Sequence, residues 1–209
     1  MFNCLWYLWH NFCTNQNKYD TSVTNLLIMY HIPQDKRAQA SAQKITNALA
    51  YLLDSNNFNQ ISVSQICDES GVSRTTFYRL FDIPADIIQW YCDSYSQELW
   101  DALKQEDKMV LELPFQFNVR YIFNHPEALE LAYKAGRLDI ADAAFYNNVA
   151  TMLYEMKHKY HLNEMDMKMS AAIVSSIITS AFKVWMNESK KGSIDMFYER
   201  IIRIVQHIR

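Results

Sequence analysis

The sequence predicts an all-α fold. Half of the residues are hydrophobic and only three are glycine. Those three, Gly71, Gly136 and Gly192, fall where helical patterns stop, and Pro84, Pro114 and Pro126 fall where helical patterns begin. No alternating apolar and polar run flanked by turn residues argues for a sheet. At 209 residues the chain can hold a small N-terminal domain and a larger helical one. The expected boundaries are 1–33 for an atypical extension, 34–83 for a helix-turn-helix and 84–209 for a helical regulatory and dimerisation domain.

The opening residues differ from the rest. Phe2, Trp6, Tyr7, Trp9 and Phe12 crowd an apolar start whose one cation before Tyr30 is Lys18. Asn3, His10 and Asn11 interrupt it, so it reads neither as a membrane span nor as a secretory signal. Either Met29 is the natural start, which is the expectation here, or an extension packs its aromatic face on a partner. The cysteines Cys4, Cys13, Cys67 and Cys92 have no C-x-x-C spacing, which reads as a reduced, cytoplasmic chain without a disulfide framework.

A first helix is expected from about Asp35, with Ile45, Ala48, Leu49, Leu52 and Leu53 on its inner face. From Ile61 to Phe81 two short helices meet at a tight turn. Ser62 caps the first, with Gln65 placed to complete a capping box. Val63, Ile66 and Cys67 form its inner stripe, while Ser64, Gln65 and Asp68 face water. Gly71 ends it, and Val72 plugs the turn. Ser73 caps the second helix, whose inward residues are Phe77 and Leu80 or Phe81. Arg74, Thr75, Thr76, Tyr78 and Arg79 then point outward, a face that can donate to phosphates and base edges in a major groove. From Gly71 to Phe81 there are two arginines and no acid, although the whole chain is formally −3. Net charge therefore gives no support to nucleic-acid binding; the local face does.

In Ser62, Val63, Ile66, Cys67, Ser70, Gly71, Val72, Ser73, Phe77, Tyr78, Arg79, Leu80 and Phe81 the chain resembles the TetR family of transcriptional regulators. The resemblance continues upstream through Ile45, Ala48, Leu49, Leu52 and Leu53. Asn57 stands where that family usually has glycine, and asparagine tolerates the left-handed conformation such a site implies. Two departures bear on affinity: Leu80 replaces a histidine, and Pro84 replaces a lysine that often touches a phosphate. The resemblance implies a dimeric reader of a palindromic operator on double-stranded DNA. Its expected contacts are Ser62, Ser73, Arg74, Thr75, Thr76, Tyr78 and Arg79, with Arg74 and Thr76 the candidates for base edges.

A helix from about Pro84 to Leu103, carrying Ile87, Ile88, Tyr91, Tyr95, Leu99 and Trp100, would link the reading head to the body. After a charged break at Gln105 to Lys108, shorter helices near Pro114 to Asn124 and Pro126 to Ala135 precede a long one from about Asp139 to Tyr160. In the TetR family helices at these places surround an effector cavity. On that likeness Trp100, Phe117, Tyr121, Tyr133, Phe145, Met152 and Trp185 are candidates to line one, although aromatic residues at helical spacing also make plain core. Such a lining suits a small apolar or aromatic effector.

The segment Met165 to Asn187 is apolar or small nearly all around, so burial on two sides is expected. After Gly192, Ser193 is expected to cap a final helix with Ile194, Phe197, Ile201, Val205 and Ile208 on one side. Paired with their symmetry mates, these helices would make a four-helix dimer interface through Ile173, Ile177, Ser180, Trp185, Phe197, Ile201 and Val205. Glu155, His158 and His161 have helical spacing, but beside Lys157 and Lys159 they read as a solvated stripe rather than a metal site. With no G-x-S-x-G, phosphate-cradling loop or paired-carboxylate motif, the chain is not expected to be an enzyme, and no cofactor or metal is implied. The expectation is thus a TetR-like repressor released by a small effector. The competing reading is a family member that acts as a protein-interaction module with weak or no operator binding.

Overall fold

The computed structural model describes residues 30–105, 114–188 and 194–207. These form nine helices and a 3-10 turn, with no strand among the described residues beyond an isolated antiparallel bridge, Tyr30 to Phe81. The helices are α1 (Lys36–Leu52), α2 (Val63–Ser70), α3 (Arg74–Leu80), α4 (Pro84–Gln105), α5 (Pro114–Asn124), α6 (Glu127–Lys134), α7 (Leu138–Tyr160), α8 (Glu164–Asn187) and α9 (Ile194–His207). The all-α expectation holds. The N-terminal extension before Tyr30, the break after Gln105 and the cap at Ser193 lie outside the described residues.

The chain divides into two compact units, described here separately. Among the described residues, one contains 30–95 and 127–144; the other takes in 96–105, 114–126, 145–188 and 194–207. In the first, the Asp35 carboxylate caps α1 by accepting from the backbone N–H of Arg37 and Ala38 at 2.9 and 3.0 Å. Ala38, Ala42, Ile45, Ala48, Leu49 and Leu53 are buried, and α1 packs on α2 and α3. Leu52 is half-buried. Asn57 departs from expectation: at φ −73° and ψ 140° it is extended, because it opens the 3-10 turn Phe58–Gln60 instead of reversing the chain itself.

Gly71 does occupy the left-handed region, at φ 65° and ψ 18°. A Cβ added there would meet no heavy atom within 4 Å. Gly71→Ala should therefore cost only the backbone strain, about 1–2 kcal/mol, without steric overlap. A denaturation midpoint unchanged from wild type would contradict that account.

Later in the same unit, α6 buries Ala128, Leu129, Leu131 and Ala132. It closes with Gly136 at φ 68°, where the Arg137 N–H returns to the Ala132 carbonyl at 2.8 Å. The Cys92 thiol on α4 lies 3.9 Å from the Ala128 carbonyl, and Lys134 pairs with Asp54 beyond the end of α1.

In the other unit Trp100, Leu103, Val149, Met152, Leu153, Leu162 and Ala171 form one buried cluster, with Phe117 and Tyr146 packed against it. A second contact zone is aromatic: Phe123 lies 5.2 Å from the ring centroids of both Trp185 and Phe197 and 5.9 Å from Phe182. Arg120 and Asp195, 3.1 Å apart, join α5 to α9. Helix α8 starts with a capping box the sequence reading missed, in which Asn163 and Asp166 satisfy each other's backbone N–H groups. Within a single chain one side of α8 is buried. Ser170, Ala171, Ser175, Ile178, Thr179, Phe182 and Trp185 are inside, while Met165, Met169, Ile173 and Val184 are exposed. By length and composition α8 is apolar enough to cross a membrane, but the packing of its inner face is that of a core helix.

Candidate nucleic-acid interface

The reading head is assembled by local chemistry. Ser62 Oγ accepts from the Gln65 N–H at 3.3 Å, while Gln65 Oε1 accepts from the Ser62 N–H at 2.9 Å and from its hydroxyl at 2.8 Å. This closed box fixes the start of α2, and Ile66 and Cys67 are buried beneath it. Val63 is half-buried. At α3, Ser73 Oγ accepts from the Thr76 N–H at 3.2 Å and donates to Thr76 Oγ1 at 3.0 Å. Phe77, Leu80 and Phe81 are all fully buried, which settles the inward residues as both Leu80 and Phe81.

What remains outward on α3 is polar. Arg74, Thr75, Tyr78 and Arg79 are exposed and Thr76 is half-buried. Arg74 donates to Ser64 across the turn, so Ser64 is half-buried rather than turned to water. Burial pushes the Cys67 thiol up, opposed by the positive charge of Arg74. A guanidinium has five donors, so one bond to Ser64 orients Arg74 without exhausting it. The hydroxyls of Ser62 and Ser73 are used in capping, so their primary role is to hold the helix starts.

The far end of α3 is held by the segment before α1. The His31 N–H donates to the Leu80 carbonyl at 2.9 Å, and the Tyr30 hydroxyl donates to Asp93 Oδ2 at 3.2 Å. Burial pushes the Asp93 carboxyl up, against the hydrogen bonds from Gln89 and Tyr30. Nothing in the composition of residues 1–33 signalled this attachment, because its bonds are largely main-chain.

Of the residues proposed for an effector cavity, six lie in one unit and Tyr133 in the other. Trp100, Phe117 and Met152 share the apolar cluster, and Tyr121 stacks on Phe117 at 5.8 Å. Phe145 is buried in the same unit, but Trp185 belongs to the aromatic zone with Phe123. Tyr133, on α6, belongs to the unit that carries the reading head. Helical periodicity identifies apolar faces and not their partners, which is why the seven looked alike in sequence.

Of the residues proposed for a dimer interface, Ile173 and Ser180 are exposed and Ile177 and Phe197 half-buried. Trp185 and Ile201 are buried within their own unit. The side chain of Val205 lies outside the described residues, as do those of Glu155 and His158. His161 is exposed, and no group of metal-ligating side chains occurs among the described residues.

No family model matches the sequence. No curated protein matches it either. Solved structures do. The fatty acid degradation regulator FadR from Bacillus halodurans aligns with a TM-score of 0.55 at 14% identity, over 81% of this chain and 96% of that one. The transcriptional regulator FadR from Bacillus subtilis, in complex with stearoyl-CoA, aligns with a TM-score of 0.53 at 15% identity, over 79% and 97%. The chain has the fold of these regulators. At such identities the likeness covers backbone architecture, and the chemistry of the reading head has to be argued from its own residues.

Proposed function

We propose that the chain is a TetR-like, DNA-binding transcriptional regulator: a homodimeric repressor that reads a palindromic operator and is released by a small apolar effector. The observation that carries the reading is the outer face of α3. It presents Arg74, Thr75, Tyr78 and Arg79 on a helix whose start, inner face and end are each fixed by named bonds or burial. A short, rigid, polar helix after a glycine turn is what insertion into a major groove requires. Alignment with two FadR regulators over most of this chain supports the same reading.

Arg79 and Tyr78 are proposed to hold phosphates, and Arg74 and Thr76 to read base edges. For release, the apolar cluster around Trp100 and Met152 is the part best suited to an acyl or aromatic effector. Stearoyl-CoA, held by one FadR neighbour, has that acyl character. Helix α4 belongs to the head-bearing unit up to Tyr95 and to the other unit from Ser96, so it is the proposed lever. An effector that prefers one lever position would shift the separation of the two heads.

The test is a titration of the purified protein with its own upstream DNA across a salt series. Sequence preference with a steep salt slope is expected. Arg79→Ala should weaken binding to all sequences, roughly tenfold, and lower the salt slope by about one per subunit while leaving the fold intact. Binding without preference, alongside a stable complex with another protein, would favour the interaction-module reading instead. Exposed Asp54, Asp68, Glu69 and Asp82 around the head are the feature that favours it.

A further inference from the structure

We propose that His31 is a phosphate-contacting residue of the DNA interface, carried to the end of α3 by the segment that precedes α1. The proposal rests on the DNA-reading role of α3 argued above. The segment is held on both sides of His31. Before it, Tyr30 bridges to Phe81 and its hydroxyl donates to Asp93. At His31 the backbone N–H donates to the Leu80 carbonyl, and after it the Pro33 carbonyl accepts from Gln39 Nε2 at 3.1 Å. The segment is thus docked without its His31 side chain, and the imidazole is left 58% exposed with Nε2 3.4 Å from Asp82 Oδ2.

Helix length places this group against a groove wall. Seven residues make a helix about 10 Å long, and the major groove is about 12 Å wide. Groups pinned at the last turn of a helix seated there come close to the sugar-phosphate backbone rather than to base edges. At that end Leu80 is fully buried, and Pro84 lacks a backbone N–H. The side-chain donors at that end include Tyr78, Arg79 and His31. With Nε2 turned to Asp82, the opposite ring nitrogen, Nδ1, is the one assigned to the phosphate, and it is the imidazolium, in which both ring nitrogens carry hydrogen, that donates there.

The surrounding charges give the proposal opposite signs for neighbouring substitutions. Asp82 is exposed beside His31. Asp86 is occupied, accepting at 2.9 Å from the backbone N–H groups of both Asp82 and Ile83. Asp93 is tied to Tyr30 and Gln89. Asp82 is therefore the carboxylate that would oppose an incoming phosphate, and its removal should favour DNA even as removal of the imidazole disfavours it.

The experiment compares wild type, His31→Ala, His31→Lys, Asp82→Asn and Arg79→Ala, all full-length, binding a labelled duplex of the protein's own upstream DNA across a salt series. Denaturation midpoints are measured on each. His31→Ala should weaken binding about three- to tenfold and flatten the salt slope by up to about one per subunit, while His31→Lys restores both. Asp82→Asn should tighten binding. If His31→Ala and Asp82→Asn weaken binding alike, or if neither changes it, the pair is only a structural clip and the proposal is overturned. Should His31→Ala lower the midpoint, His31→Lys against His31→Gln carries the same comparison. Failure of the DNA reading itself would look different, because wild type and Arg79→Ala would both be indifferent to the duplex.

Discussion

Phe77→Ala is expected to lose about 3–5 kcal/mol of stability and with it all measurable DNA binding. Phe77 is fully buried, with its ring centroid 5.4 Å from Tyr78 and 5.9 Å from Phe81. Through Phe81 the contact extends to Trp90 on α4, 6.2 Å away. Seven residues are far too few to stay helical alone, so α3 exists because Phe77 and Leu80 dock it on α1 and α2. Truncation leaves a cavity under the recognition surface, and the outer residues lose their common geometry even where the backbone remains near its place. A typical domain has a net stability of about 5–15 kcal/mol, so the variant should unfold at a much lower denaturant midpoint. Phe77→Leu refills part of the volume and should recover most of the stability and some affinity. An unchanged midpoint for Phe77→Ala would mean that α3 is held by something other than its inner face, and the geometry proposed for reading DNA would lose its basis.

The reading head was legible in sequence because caps and turns are local events. Asp35, Ser62 with Gln65, Gly71 and Ser73 each act on backbone groups within three residues, so spacing alone identifies them. The same reasoning failed at Asn57, where tolerance of a left-handed conformation was taken as a need for one; the 3-10 turn after it makes an extended residue sufficient. Long-range placement was less visible. No local signal says that α6 groups with the head, since that depends on Cys92 meeting the Ala128 carbonyl and Lys134 meeting Asp54. The attachment of His31 to Leu80 was hidden for the same reason, being a main-chain bond between distant residues.

On helix α8 the sequence reading named a segment apolar or small nearly all around, and its hydroxyl residues Ser170, Ser175 and Thr179 are buried. Ser175 Oγ donates to the Ala172 carbonyl at 3.2 Å and Thr179 Oγ1 to the Ser175 carbonyl at 3.0 Å, so the helix satisfies two of them itself. Small self-bonded residues can therefore sit against neighbouring helices, and the larger apolar side chains are left outside.

Those outer side chains lead to the second large effect: Ile173→Glu is expected to convert a dimer into monomers. At 100° per residue Met165, Met169, Ile173, Ile177, Ser180 and Val184 fall within a sector of roughly 120° on α8. Four of the six are large apolar residues with 43–64% exposure, and Ile204 on α9 is 60% exposed. An exposed, largely apolar sector of this kind marks a surface that another surface covers. In the proposed regulator that surface is its own copy, and Lys183 at the edge of the sector supplies a polar rim. Two-fold symmetry places the substitution twice in one interface. An unpaired buried charge costs about 3–5 kcal/mol, and each 1.4 kcal/mol is about tenfold in dissociation constant. Dissociation should rise by at least roughly a hundredfold, read by sedimentation or by light scattering after size exclusion. Thr151→Glu, on the exposed side of α7, should leave the assembly intact. Operator affinity should fall in step, because two heads on separate chains no longer share an effective concentration. A wild-type chain that is monomeric at micromolar concentration, or an Ile173→Glu variant that stays dimeric, would remove this face from the interface and leave the apolar row on α8 to a different partner.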